Sequence, residues 1–252
     1  MSKNTLMAAM SALFVLSLHV QPAHADSDRT FVSGLGDDNS TCTRPAPCRT
    51  FAGAIGKTNA GGEVVVADAG GYGSFTIPKS ISIISEGTFG GISGGAPGVL
   101  IDAPGADVVL YGLMLEGLGS GAGIRIAAAA TVHIRKCLIK GYKQGLVVET
   151  TSSTRVFVSD CAVSGHNDGV VVKVTGLGSA GVVFDRVQVV LNSAIGISVD
   201  GILARITLNA STITGNQTGL KVTNKGQIAS YQNNVLTANS TNGAPSTTVS
   251  PK

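Results

Sequence analysis

Glu149, Lys173 and Asp200 are the residues whose type and spacing first suggest chemistry. Each stands four positions after a glycine (Gly145, Gly169, Gly196) that opens an apolar-x-apolar triplet. Residues equivalent in a repeat and placed on neighbouring strands point the same way, so a carboxylate, an ammonium and a second carboxylate would stack into one outward stripe. We read this alternation as an ordinary salt ladder. It is also the stripe on which a ligand-binding face would be sought. Cys42 and Cys48 bracket Thr-Arg-Pro-Ala-Pro and read as a disulfide. Cys137 and Cys161 share a column one repeat apart and read as two buried reduced thiols, with a bridge between them left open. No Cys-x-x-Cys and no paired His accompanies them, so no metal is expected. Asp37-Asp38-Asn39 is the one tight acidic group; an Asx-rich turn accounts for it, with Ca²⁺ as the alternative. His133 and His166 fall in different columns, so no His pair or triad is formed. No catalytic residue is assigned.

These side chains need a repeating scaffold, and the glycines expose one. Gly123, Gly145, Gly169, Gly196 and Gly219 recur at intervals of 22, 24, 27 and 23 residues, a period that denotes stacked supersecondary units. Further columns hold Val132, Val156, Val182, Ile206 and Ala229, then Ile134, Val158, Phe184, Leu208 and Tyr231, all expected to point inward. A mostly glycine column follows, leading to Tyr142, His166, Asn192, Asn216 and Asn239. Each unit thus has three short period-2 segments separated by bends, which is strand chemistry. The leucine-rich repeat shares this period, but its first leucine position is filled by Leu203 in only one of five units. The expected fold is all-β: a right-handed parallel β-helix with a short N-terminal capping helix. Asn192, Asn216 and Asn239 form its turn ladder, because Asn tolerates a left-handed backbone and stacks its amides. Length variation gathers at one corner (127–131, 150–155, 175–181 and 201–205), where repeat proteins often place a binding face.

Composition narrows the function. The chain has 252 residues, 34 of them Gly, and only 13% charged residues, with a net charge of +3. So small a charge, with no basic run, excludes a dedicated nucleic-acid binder. Residues 1–25 read as an export signal: Lys3, an apolar run from Leu6 to Val20, and a small-x-small site at Ala23-His24-Ala25. No later stretch is long and apolar enough to span a membrane, so the protein is expected to be secreted or periplasmic. The cap is assigned to 26–60, with a first strand at 31–33 and a helix over 49–59 that Thr50 would N-cap. The solenoid is assigned to 61–239, and a frayed tail to 240–252.

The cap carries a resemblance. Phe31-Val32-Ser33, Gly36-Asp37, Pro47-Cys48-Arg49-Thr50-Phe51, Ala54, Gly61-Gly62, Val64-Val65-Val66 and Gly71-Tyr72 resemble the N-terminal cap of secreted bacterial proteins in the pectate-lyase-like right-handed β-helix superfamily. That superfamily includes polysaccharide lyases, hydrolases and epimerases, but also adhesins, phage tailspikes and members of no known activity, so the resemblance implies fold more than activity. In its lyases, carboxylates hold Ca²⁺ and a Lys or Arg removes a sugar proton. No such motif can be laid residue by residue on Glu149, Lys173 and Asp200. The scarcity of aromatics (4%, no Trp) argues against processive polysaccharide chemistry. The reading is an exported, non-catalytic scaffold or glycan-binding surface protein without a cofactor, whose partner is a polysaccharide or cell-surface glycan. The alternative is a polysaccharide lyase, for which Ca²⁺ would be the cofactor.

Overall fold

The structure, a computed structural model, describes residues 27–250; the expected export signal lies outside them. Strands alternate buried and exposed residues, as in Thr154–Ser159 and Ala204–Asn209. Every strand pairs in parallel with its equivalent one turn away. Among the described residues three sheets of ten, seven and eight strands result, and the chain visits them in turn. This is a parallel β-helix: each rung covers the apolar face of the last, and no rung could bury that face alone.

The registers keep like over like. Val108, Val132, Val156, Val182 and Ile206 lie on one another in the ten-stranded sheet. Leu110, Ile134, Val158, Phe184 and Leu208 form the second inward column. All ten are buried. At roughly 25 cal/mol per Å² of apolar area removed from water, these columns are the dominant stabilising term.

Five sequence expectations need correction. In the last full rung Ile206 pairs with Ile228, and Leu208 with Ser230. Ile228 is therefore the inward residue, whereas Ala229 and Tyr231 are half-exposed. An extra residue in the bend after Gln227–Tyr231 restores the later columns, with Leu236 opposite Ile213. The tail expected to fray is ordered over 240–250: Thr247–Val249 pairs with Ala229–Tyr231, and Leu220 N–H donates to Asn242 O. Unpaired strand edges draw the tail into a partial further rung. The helix is shorter than expected, Phe51–Lys57, because Thr58 already begins the strand Thr58–Val66. That strand runs through the expected boundary at 60/61, and the first strand is Ser27–Val32 rather than 31–33.

The helix covers the first rung with Phe51, Ala54 and Ile55. Phe51 packs against Tyr72 and Phe75, with ring centroids 5.2 and 4.9 Å away. Cys42 and Cys48 are disulfide-bonded in the preceding loop.

Candidate functional site

Glu149, Lys173 and Asp200 do lie in one register on the seven-stranded sheet, but their charges are engaged. Arg125 Nη2 binds Glu149 Oε2 at 2.7 Å, and Lys173 Nζ lies 3.5 Å from Glu149 Oε1. Asp200 does not join them. Its Oδ1 accepts from Thr223 Oγ1 at 3.0 Å and from Asn224 Nδ2 at 2.6 Å. The stripe is a half-exposed ion-pair ladder followed by a hydrogen-bonded carboxylate, worth roughly 0–1 kcal/mol per pair. Arg125, a partner the sequence reading did not include, sits in the neighbouring outward column and reaches Glu149 along the diagonal.

The acidic residues of the cap are likewise consumed. Asp38 Oδ1 accepts from the backbone N–H of Arg49 and Thr50 at 2.8 and 2.9 Å, and its Oδ2 accepts from Thr50 Oγ1 at 2.8 Å. Burial pushes this carboxyl up, but the Thr50 hydroxyl, the two amides and the Lys57 charge outweigh it and hold the group below the usual range. Gly53 is needed here, since a Cβ would stand 2.3 Å from Asp38 Oδ1. Asp37 Oδ1 accepts from Asn39 N–H at 2.9 Å, an Asx turn. Among the described residues no group of three His, Cys, Asp or Glu is placed to hold a metal.

The bend column is a continuous hydrogen-bond ladder. Asn239 Oδ1 accepts from Asn216 N–H, Asn216 Oδ1 from Asn192 N–H, and Asn192 Oδ1 from His166 N–H, at 2.9, 3.0 and 3.0 Å. His166 continues it, its Nδ1 taking the Tyr142 N–H at 3.1 Å and its Nε2 facing Ile139 O at 3.1 Å. Burial pushes the imidazole below its ordinary value, so it stays neutral and is a structural residue rather than a catalytic one. Cys137 and Cys161 are free and buried, and Cys137 N–H donates to Cys161 Sγ at 3.3 Å. The neighbouring Cys161 sulfur and burial hold the Cys137 thiol well above its ordinary range.

Open chemistry lies instead on the outer face of the ten-stranded sheet. Arg155, Gly181 and Arg205 are successive members of one outward column. The two arginines are roughly 10 Å apart at their Cα atoms, two strand spacings. Both are exposed, and among the described residues neither side chain forms an ion pair or hydrogen bond. A Cβ at Gly181 would meet nothing within 4 Å, so the sheet surface between the two arginine positions is open. In the adjoining column His133 stacks on Phe157, with centroids 5.0 Å apart and planes 13° apart, between Val109 and Val183. The same face continues to a shallow hollow of about 640 Å³ at the cap end, floored by Phe31, Val65 and Ile84 and rimmed by Arg44 and Glu86. A planar cation fork beside a flat ring surface suits a carboxylate or sulfate borne on a sugar ring. The sequence held a signal for this site in the arginines two rungs apart in one column.

A family model described as a right-handed β-helix region matches residues 92–241. The chain belongs to this right-handed β-helix family. Among solved structures, a rhamnogalacturonan lyase superposes with a TM-score of 0.63 at 14% identity, covering 81% of this chain and 67% of that one. Pectate lyase Pel9A superposes with a TM-score of 0.51 at 12% identity, covering 81% and 68%. At such identities the likeness is one of fold. No curated protein matches the sequence. In this β-helix the ladder residues and the cap carboxylates serve the architecture, whereas Arg155 and Arg205 have no bonded partner among the described residues and stand beside the stacked His133–Phe157 pair.

Proposed function

We propose that this β-helix is an exported, non-catalytic glycan-binding protein whose ligand lies on the outer face of the ten-stranded sheet. The observation that carries the reading is the unengaged pair Arg155 and Arg205 flanking the clear surface of Gly181, beside the His133–Phe157 ring platform. Fold likeness to two polysaccharide lyases supports a polysaccharide partner. The Cys42–Cys48 disulfide supports an oxidising compartment. Against lyase chemistry on the seven-stranded sheet stands the engagement of Glu149, Lys173 and Asp200, which leaves none of the three free to hold a cation or act as a base. The test is a glycan-binding screen together with incubation with acidic polysaccharides, with and without Ca²⁺, following the ultraviolet absorbance of unsaturated products. Binding without product formation is expected. Product formation abolished by Lys173→Ala would establish the lyase alternative instead.

A further inference from the structure

The corner joining the seven-stranded to the ten-stranded sheet carries aliphatic side chains where a solenoid bend is normally polar. Leu177 is 100% exposed, Ile202 62% and Leu203 41%. The bends of the flanking rungs are Thr151-Ser152-Ser153 and Asn224-Lys225-Gly226. Leu177 is held in place rather than merely dangling. Thr175 N–H and Gly178 N–H donate to Thr150 O and Thr151 O at 3.3 and 3.1 Å, seating the loop on the corner below. A Cβ at Gly178 would lie 2.2 Å from the Ser152 carbonyl carbon, so only glycine permits that approach, and the loop turns Leu177 outward. Ala180 N–H donates to Leu203 O at 3.1 Å, tying the next corner to this one.

This apolar corner is continuous with the arginine pair: Gly181 follows Leu177 by four residues, and Arg205 follows Leu203 by two. Three side chains are far short of the roughly 1,000 Å² that a stable protein–protein interface needs, which argues against a second copy as the occupant. Aliphatic tips beside unengaged cations, with Lys225 on the adjoining bend, match instead the two signals required for adsorption to an anionic membrane surface.

We propose that this edge of the molecule docks on an acidic glycolipid in a membrane surface. The acid group of the sugar sits between Arg155 and Arg205 over Gly181, and Leu177, Ile202 and Leu203 enter the acyl boundary. The proposal rests on the glycan-binding reading above and adds to it that the glycan is lipid-borne. The experiment is vesicle flotation with phosphatidylcholine alone and with phosphatidylcholine carrying a sialylated ceramide glycolipid. In parallel, binding of the same oligosaccharide free in solution is titrated. The wild type should float only with glycolipid vesicles. The triple variant Leu177→Ser, Ile202→Ser, Leu203→Ser changes exposed positions only; it should bind vesicles at least about tenfold more weakly and the free oligosaccharide unchanged. Arg155→Ala with Arg205→Ala should lose both. Equal vesicle binding by the triple variant, or flotation with phosphatidylcholine alone, would overturn the proposal and leave the glycan-binding reading standing. Failure to bind the sugar in either form would remove both.

Discussion

His166 gives the sharpest test of the ladder, because it occupies a position that Asn fills in the next three rungs. It is 2% exposed. Replacing it by Ala strands the buried Tyr142 N–H, now bound to Nδ1 at 3.1 Å, and removes the ring that fills the bend. An unsatisfied buried donor costs about 1–3 kcal/mol, and the vacated ring adds about 1–2 kcal/mol for the hollow it leaves. His166→Ala should therefore cost roughly 2–5 kcal/mol. His166→Asn supplies Oδ1 to the same N–H, as Asn192 does for His166, and should cost less than about 1 kcal/mol. Acid separates the two further. Burial lowers the folded-state pKa, so between that value and about 6.5 the unfolded chain binds more protons. Stability is then complete above about pH 6.5 and falls with acid by at most about 1.4 kcal/mol per pH unit. His166→Asn removes that contribution. Urea unfolding of the three proteins at about pH 5.5 and about pH 8, with amide exchange at Tyr142, measures both effects. Equal losses for Ala and Asn, or an undiminished acid slope in His166→Asn, would refute the assignment of His166 to the ladder.

Asp38→Ala removes three acceptor contacts to Arg49 and Thr50 and should lower stability by roughly 2–3 kcal/mol near neutral pH, read as the denaturation midpoint. Because the folded-state pKa of Asp38 lies below the ordinary carboxylate value, the wild type alone should carry this stability above about pH 4 and lose it as acid protonates the folded carboxylate. Leu191 stands in the glycine column with φ 57° and an exposed side chain. Leu191→Gly should raise stability by about 0.5–1 kcal/mol, relief of the left-handed backbone exceeding the gain in unfolded-state freedom. Lys173→Ala and Glu149→Gln should each change stability by less than about 1 kcal/mol and leave glycan binding intact, as expected of a half-exposed ladder. A large loss of binding in either would move the site to the seven-stranded sheet.

The interior of this molecule was readable because a solenoid repeats its constraints. Val156 meets the same neighbours as Val132, so the same residue types return and the columns declare themselves. The pattern breaks where the repeat changes length. One extra residue after Tyr231 shifted Ala229 and Tyr231 off the core, and a one-residue slip reverses every side chain in a strand. The second set of left-handed bends, at Lys136, Asp160, Arg186 and Ala210 (φ 46–54°), leaves no mark in the sequence because none of them is glycine. The tail is illegible for a different reason: its polar composition says nothing about the open strand edge waiting beside it.

The outer faces follow another logic, and it bears on the function. Stacking identical positions at one strand spacing forces like charges together unless signs alternate or a neutral residue intervenes, so an alternating stripe such as Glu149 and Lys173 is what stability alone would select. Its chemical appearance is a by-product of the architecture. Arg155 and Arg205 are the contrary case. With Gly181 between them, no opposite charge has been placed to answer either one, and nothing fills the space. A glycine in a strand gives up both side-chain packing and backbone order, so separating the two charges with glycine, where a larger neutral residue would separate them as well, has a stability cost. An anionic group from outside would supply the missing counter-charge and fill that space, which is why the ligand is sought on this face rather than beside the carboxylates.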